Sequence, residues 1–114
     1  MPSYRVTVDI IDVRPGVPPE KVLPAAERVV ASTHRVEDRR LDVVSTAAGP
    51  QPRIQLRFLV PATGSDVEDS EAESVARALV GDLEEIARCG RWELRRGPGR
   101  HWRLRASGGP VSEQ

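Results

Sequence analysis

Asparagine is absent from this chain, lysine occurs once against sixteen arginines, and cysteine occurs once, at Cys89. A single cysteine excludes an intramolecular disulfide framework. No apolar run approaches the roughly 18 residues needed to cross a bilayer, so no membrane partner is expected. The opening Met1-Pro2-Ser3-Tyr4-Arg5 has no apolar stretch of the kind that marks a secretory leader, and the expected location is the cytoplasm. Charge of one sign is not in excess either: Lys plus Arg and Asp plus Glu both number 17. No global field therefore draws in nucleic acid or an anionic membrane. The arginine bias, with abundant Ala, Gly and Pro, fits GC-rich coding and dilutes any argument from arginine content alone.

What is present suffices for one domain. A chain of 114 residues and 12.5 kDa buries about two-thirds of its surface on folding, enough for an ordinary core without staples. The domain is read as residues 1–106, with 107–114 as a tail.

Tyr4, Val6, Val8 and Ile10 alternate with Arg5, Thr7 and Asp9, the period of a half-buried strand. Arg14-Pro15-Gly16 breaks it. Val22, Ala26, Val29, Val30 and Thr33 then recur at helical spacing, with Pro24 as a kink or as the true helix start. Leu41 and Val43 alternate with Arg40, Asp42 and Val44, and Ile54, Leu56, Phe58 and Val60 with Arg53, Gln55, Arg57 and Leu59. The turn cluster 47–52 between them predicts an antiparallel pair.

Residues 66–88 carry the strongest helical stripe, through Ala72, Val75, Ala76, Leu79, Leu83 and Ile86. Ser70 with Glu73 fits a capping box, and Gly90 fits the position just beyond the helix end. Trp92 and Leu94 alternate before Gly97-Pro98-Gly99, and Trp102 and Leu104 after it, which predicts a hairpin with Trp92 opposite Leu104 and Leu94 opposite Trp102. The series predicts an α+β fold: a two-layer α/β plait of the ferredoxin-like kind, β-α-β-β-α-β, with an extra C-terminal β-hairpin strand.

Such a sheet has one face under helices and one free. Parity places Arg5, Thr7, Asp9, Arg40, Asp42, Val44, Arg53, Gln55, Arg57 and Leu59 on the free face. The final hairpin, with its tryptophans inward, adds Arg91, Glu93, Arg95, Arg103 and Arg105. That is eight arginines against three acids, while the 66–88 segment holds eight acids against two arginines. Tyr4 and Phe58 share the buried parity, so the free face lacks the aromatic platform of sheet-face RNA readers.

Candidates for chemistry are few. His34, Cys89 and His101 are the only soft metal ligands, and no CxxC, HxxxH or HExxH occurs. No metal and no cofactor is expected. There is no G-x-S-x-G elbow, and Ser32-Thr33-His34 reads as a helix-end cap; no catalytic residue is assigned and an enzyme is not the favoured reading. The Arg14-Pro15-Gly16 loop between strand and helix could hold an anion. It resembles the Pro-Gly turn of ACT regulatory domains over a few residues, and the helix after it departs from that pattern. Acylphosphatases resemble the expected topology, but a chain without asparagine lacks their usual catalytic amide. The densest basic site is the hairpin tip, with Arg95, Arg96, Arg100 and His101.

The sequence therefore predicts a binding or assembly module, a homodimer joined through its sheet. The alternative is an anion or nucleic-acid binder using Arg14, Gly16, Arg57, Arg95, Arg96, Arg100, His101, Arg103 and Arg105. A small enzyme with a pocket between sheet and helices is the third reading.

Overall fold

In a computed structural model, residues 1–97 and 101–110 are described. Pro98, Gly99 and Arg100 of the final turn, and 111–114 of the segment read as a tail, lie outside them. The elements are β1 (Ser3–Val13), a 3₁₀ turn (Pro19–Lys21), α1 (Val22–Ala31), β2 (Val36–Thr46), β3 (Gly49–Leu59), α2 (Ser65–Leu83), β4 (Ala87–Arg96) and β5 (Arg103–Gly108).

All strands join one antiparallel sheet in the order β2-β3-β1-β4-β5. This corrects the expected β-α-β-β-α-β plait: the sheet has five strands over two helices, and the element series ends on two successive strands. The reason lies in the C-terminal segment. β4 begins at Ala87, four residues before the hairpin expected from the pattern, and β5 pairs along it to form a full sheet edge. Each helix crosses one strand, α1 leading from β1 over β3 to β2 and α2 from β3 over β1 to β4.

The α+β core lies between the sheet and the helices. Tyr4, Val6, Val8 and Ile10 of β1 and Ile54, Leu56 and Phe58 of β3 meet Val22, Ala26 and Val30 of α1 and Ala72, Ala76, Leu79 and Leu83 of α2. Burying a side chain of this kind contributes about 1.5–3 kcal/mol. Pro24 sits in the first turn of α1, where a missing N–H costs no ladder bond, so the helix runs unbroken behind it.

Pro50 and Pro52 lie inside β3, not in a loop; only Ala47 and Ala48 form the turn. Proline is tolerated there because β1 pairs with β3 only as far as Asp9–Arg53, which leaves 49–52 bonded to β2 alone. The β2–β3 ribbon thus projects beyond the helices. Leu41 and Val43, expected in the core, are 55% and 66% exposed. Their parity is that of the core, since Leu41 opposes Ile54, but ten-residue α1 does not cover them.

α2 also starts and stops elsewhere than expected. Its start at Ser65 is fixed by Glu68, whose carboxylate reaches back to accept from the Thr63 and Gly64 amides just before the helix at 2.9 and 3.1 Å, rather than by a Ser70–Glu73 box. It ends at Leu83, so Cys89 and Gly90 belong to β4. No helix among the described residues is long and apolar enough to cross a membrane.

A candidate anion site on the helix-free sheet face

Residues of β1, β3 and β4 that point away from the helices form cross-strand rows. Arg5 lies directly opposite Arg57 on one side and Arg95 on the other. The next row runs Arg40, Gln55, Thr7, Glu93, and the next Asp42, Arg53, Asp9. The last row is balanced: Arg53 Nε donates to Asp9 Oδ1 at 2.6 Å.

The arginine row is less well balanced: Asp38 of β2 lies opposite Arg57, but Arg5 has only arginines on either side. Like charges directly opposite each other destabilise a sheet. Arg95 donates to Glu93 at 2.8 Å, and Arg57 lies 3.4 Å from Glu37. Arg5 makes no ion pair among the described residues, and its enclosed Nε has no acceptor. Its guanidinium instead sits 4.6 Å from the centre of the Trp102 ring, a cation–π contact. Burial, and then the charges of Arg95, Arg40 and Arg57, pull its pKa below the usual arginine value.

Beside this row is a polar concavity of about 510 Å³. Arg5, Arg95 and Arg53 bring positive charge to it, Thr7 and Gln55 neutral hydrogen-bonding groups, and Glu93 and Asp42 carboxylates. Glu93 is held below the ordinary carboxylate range against the pull of burial, by hydrogen bonds from Arg95 and Arg91. A ligand phosphate or carboxylate there would meet guanidinium donors in fork geometry.

Trp102 is placed otherwise than the alternation implies. It precedes β5, its ring lies against Gly97 and Arg5, and it stands on the helix-free side. Trp92 alone points inward, buried beneath the Arg77 guanidinium of α2. Its strand partner is Gly108, not Leu104, and Leu94 opposes Ala106, not Trp102. An irregularity between Leu94 and Arg95 shifts the register, and Leu104 comes opposite Arg95 with 47% of its surface exposed.

Arg105, expected on the free face with Arg91, Arg95 and Arg103, reaches the helix side instead, which corrects the one-sided distribution expected, and it joins Arg96 there. Arg96 turns to the helix side: it donates to Tyr4 Oη at 2.7 Å, Asp69 at 3.0 Å and Glu68 at 2.8 Å. Arg105 lies 3.6 Å from Asp69. Arg96, His101, Arg103 and Arg105 line a second concavity of about 350 Å³. In the network around it, backbone amides first and then Arg96 hold Glu68 below its usual pKa. Hydrogen bonds from Tyr4 and Arg96 hold Asp69 down against burial, and burial and Asp69 push the Tyr4 phenol up.

The remaining sequence candidates lie apart. Arg14 spans to the end of α2, donating to the Glu84 carbonyl at 3.0 Å and carboxylate at 2.9 Å. Gly16 has φ 83°, a turn conformation. Among the site candidates the structure brings Arg57 and Arg95 into one row and Arg96, His101, Arg103 and Arg105 into another cluster; Arg100 lies outside the described residues. Arg5 was not singled out from sequence, though parity had placed it on the free face.

His34 links the two helices. Its Nε2 is 2.6 Å from Glu71, its Nδ1 2.8 Å from Thr33 Oγ1, and its ring stands edge-on to Phe58. Burial pushes the Cys89 thiol up to about 12, with Glu84 adding to the shift. No group of three or more His, Cys, Asp or Glu residues among the described residues is arranged to hold a metal ion.

Comparison with protein-family models, curated proteins and solved structures finds no match for this chain.

Proposed function

We propose that this chain is a binding module that takes an anionic group, a phosphate or a carboxylate, on the helix-free face of its sheet. The observation that carries the reading is the Arg57–Arg5–Arg95 row, with Arg5 unpaired among the described residues. A fold spends stability to hold three like charges in one row, and a bound anion returns it. Arg5 and Arg95 grip the anion, Thr7 and Gln55 supply neutral hydrogen bonds, and Trp102 backs Arg5.

Self-association face to face is the weaker reading. A two-fold through this face sets the arginine row near its own copy. Polynucleotide binding calls for several phosphate contacts, and the surrounding acids Asp9, Asp42 and Glu93 oppose a long polyanion.

Thermal unfolding in phosphate and in chloride at matched ionic strength tests the proposal. Phosphate stabilises many proteins by exclusion from their surface, so Arg5→Met is the control. The proposal expects a saturable rise in Tm for the wild type and only the general rise for Arg5→Met. Equal rises would overturn it.

A further inference from the structure

β2 is an edge strand of eleven residues. It contains no proline, and its charges are mixed in sign: Glu37, Asp38 and Asp42 against Arg39 and Arg40. Edge strands are ordinarily blunted by like-charged residues, proline or brevity. The opposite edge, β5, is six residues long and carries Arg103 and Arg105.

Two features make the β2 edge suited to a copy of itself. On the helix side, exposed Leu41 rims an apolar cleft of about 370 Å³ that also includes Leu23, Pro24, Pro52 and Ile54. On the other side, Asp42 forms no ion pair among the described residues, and Arg40 only approaches Asp38 at 3.8 Å.

We infer that two copies pair antiparallel along β2, centred on Leu41, to form a continuous ten-stranded sheet. The centre follows from charge. A two-fold perpendicular to the sheet sets each residue opposite one of the same parity. Centred on Leu41, it sets Arg40 of each copy opposite Asp42 of the other, and Leu41 opposite its own copy. Centring on Arg40 opposes Arg40 to Arg40 and Asp38 to Asp42; centring on Asp42 opposes two aspartates. Centring on Arg39 opposes Asp38 to Arg40 but also sets Arg39 against its own copy, so only the Leu41 register yields complementary pairs with no like pair. The interface meets the anion concavity at Asp42, Val43 and Val44, but Arg5 lies off the β2 edge, so Arg5→Met tests the anion site without altering the pairing charges.

Sedimentation equilibrium over a wide concentration range tests it. The wild type forms dimers. Arg40→Asp and Asp42→Arg each weaken the dimer about tenfold or more, because two cross-strand attractions become repulsions. The double variant R40D/D42R restores it, since the charges exchange places across the axis. These positions are at the surface, and circular dichroism verifies that each variant is folded. Register is read by Leu41→Cys. Directly opposed residues of an antiparallel pair have Cα atoms about 4.5–5.5 Å apart, within disulfide reach, so a mild oxidant yields a covalent dimer. A wild type that stays monomeric, a double variant that stays dissociated, or a Leu41→Cys protein that does not cross-link overturns the inference.

Discussion

Arg5 faces two arginines across the sheet, Arg57 on β3 and Arg95 on β4, while the ring of Trp102 lies against its guanidinium. Replacing Arg5 by methionine keeps the length and apolar stem but removes the like charge and the enclosed Nε. Urea unfolding without anion is expected to show Arg5→Met at least as stable as the wild type, by up to about 1 kcal/mol. A core-type loss of several kcal/mol would show that Arg5 is structural.

The Tyr4–Asp69–Arg96–Glu68 network joins β1, β4 and the first turns of α2. Both carboxyls have pKa values below their ordinary ones. The unfolded chain therefore binds more protons between the folded and unfolded pKa values, and stability falls as pH falls. The contribution is full above about pH 4.5, where the unfolded carboxyls are ionised, and is lost as pH drops through the folded values. Urea midpoints across pH 7 to 3 are expected to fall for the wild type, and to fall less steeply for Glu68→Gln, which does not titrate.

Cys89 is buried in β4 and its thiol pKa is pushed up to about 12. The thiolate is the reactive form. At pH 8 a disulfide reagent is expected to label native Cys89 far more slowly than the urea-unfolded chain. Equal rates would place the thiol at the surface.

Two glycines hold the tryptophans. A Cβ at Gly108 would come within 2.8 Å of Trp92 Cε2, and one at Gly97 within 2.8 Å of Trp102 Cη2. Neither ring can yield without losing its contact. Gly108→Ala is expected to destabilise by about 1–3 kcal/mol, as overpacking does. Gly97→Ala is expected to alter Trp102 emission with a smaller loss, because that ring lies on the sheet's outer face. Fluorescence and urea unfolding check both.

Period-two alternation located β1 and β3 and the parity of their side chains, because strand sidedness is local. Parity placed Leu41 and Val43 correctly but not their exposure, which depends on how far α1 reaches. Trp102 was misplaced because the irregularity opposite Leu94–Arg95 puts the residues before Arg105 on the other parity from Ala106 and Gly108. The arginine row could not be read from sequence. Arg5, Arg57 and Arg95 are far apart in the chain, and only the registers of β1 with β3 and of β1 with β4 align them. Arg96 lies on the helix side by parity, opposite Tyr4, whereas Arg105, beside the irregularity in the β4–β5 pairing, departs from the expected face and lies 3.6 Å from Asp69 of α2.

Arginine Nε–Hε resonances followed through a phosphate titration test the anion site most directly. The Arg5 Nε is enclosed, so its signal reports the row rather than bulk solvent. The Arg5 and Arg95 signals are expected to shift together and saturate, while that of Arg14, engaged with Glu84, stays still. A static Arg5 signal, or a uniform unsaturated drift of all arginines, would contradict the account.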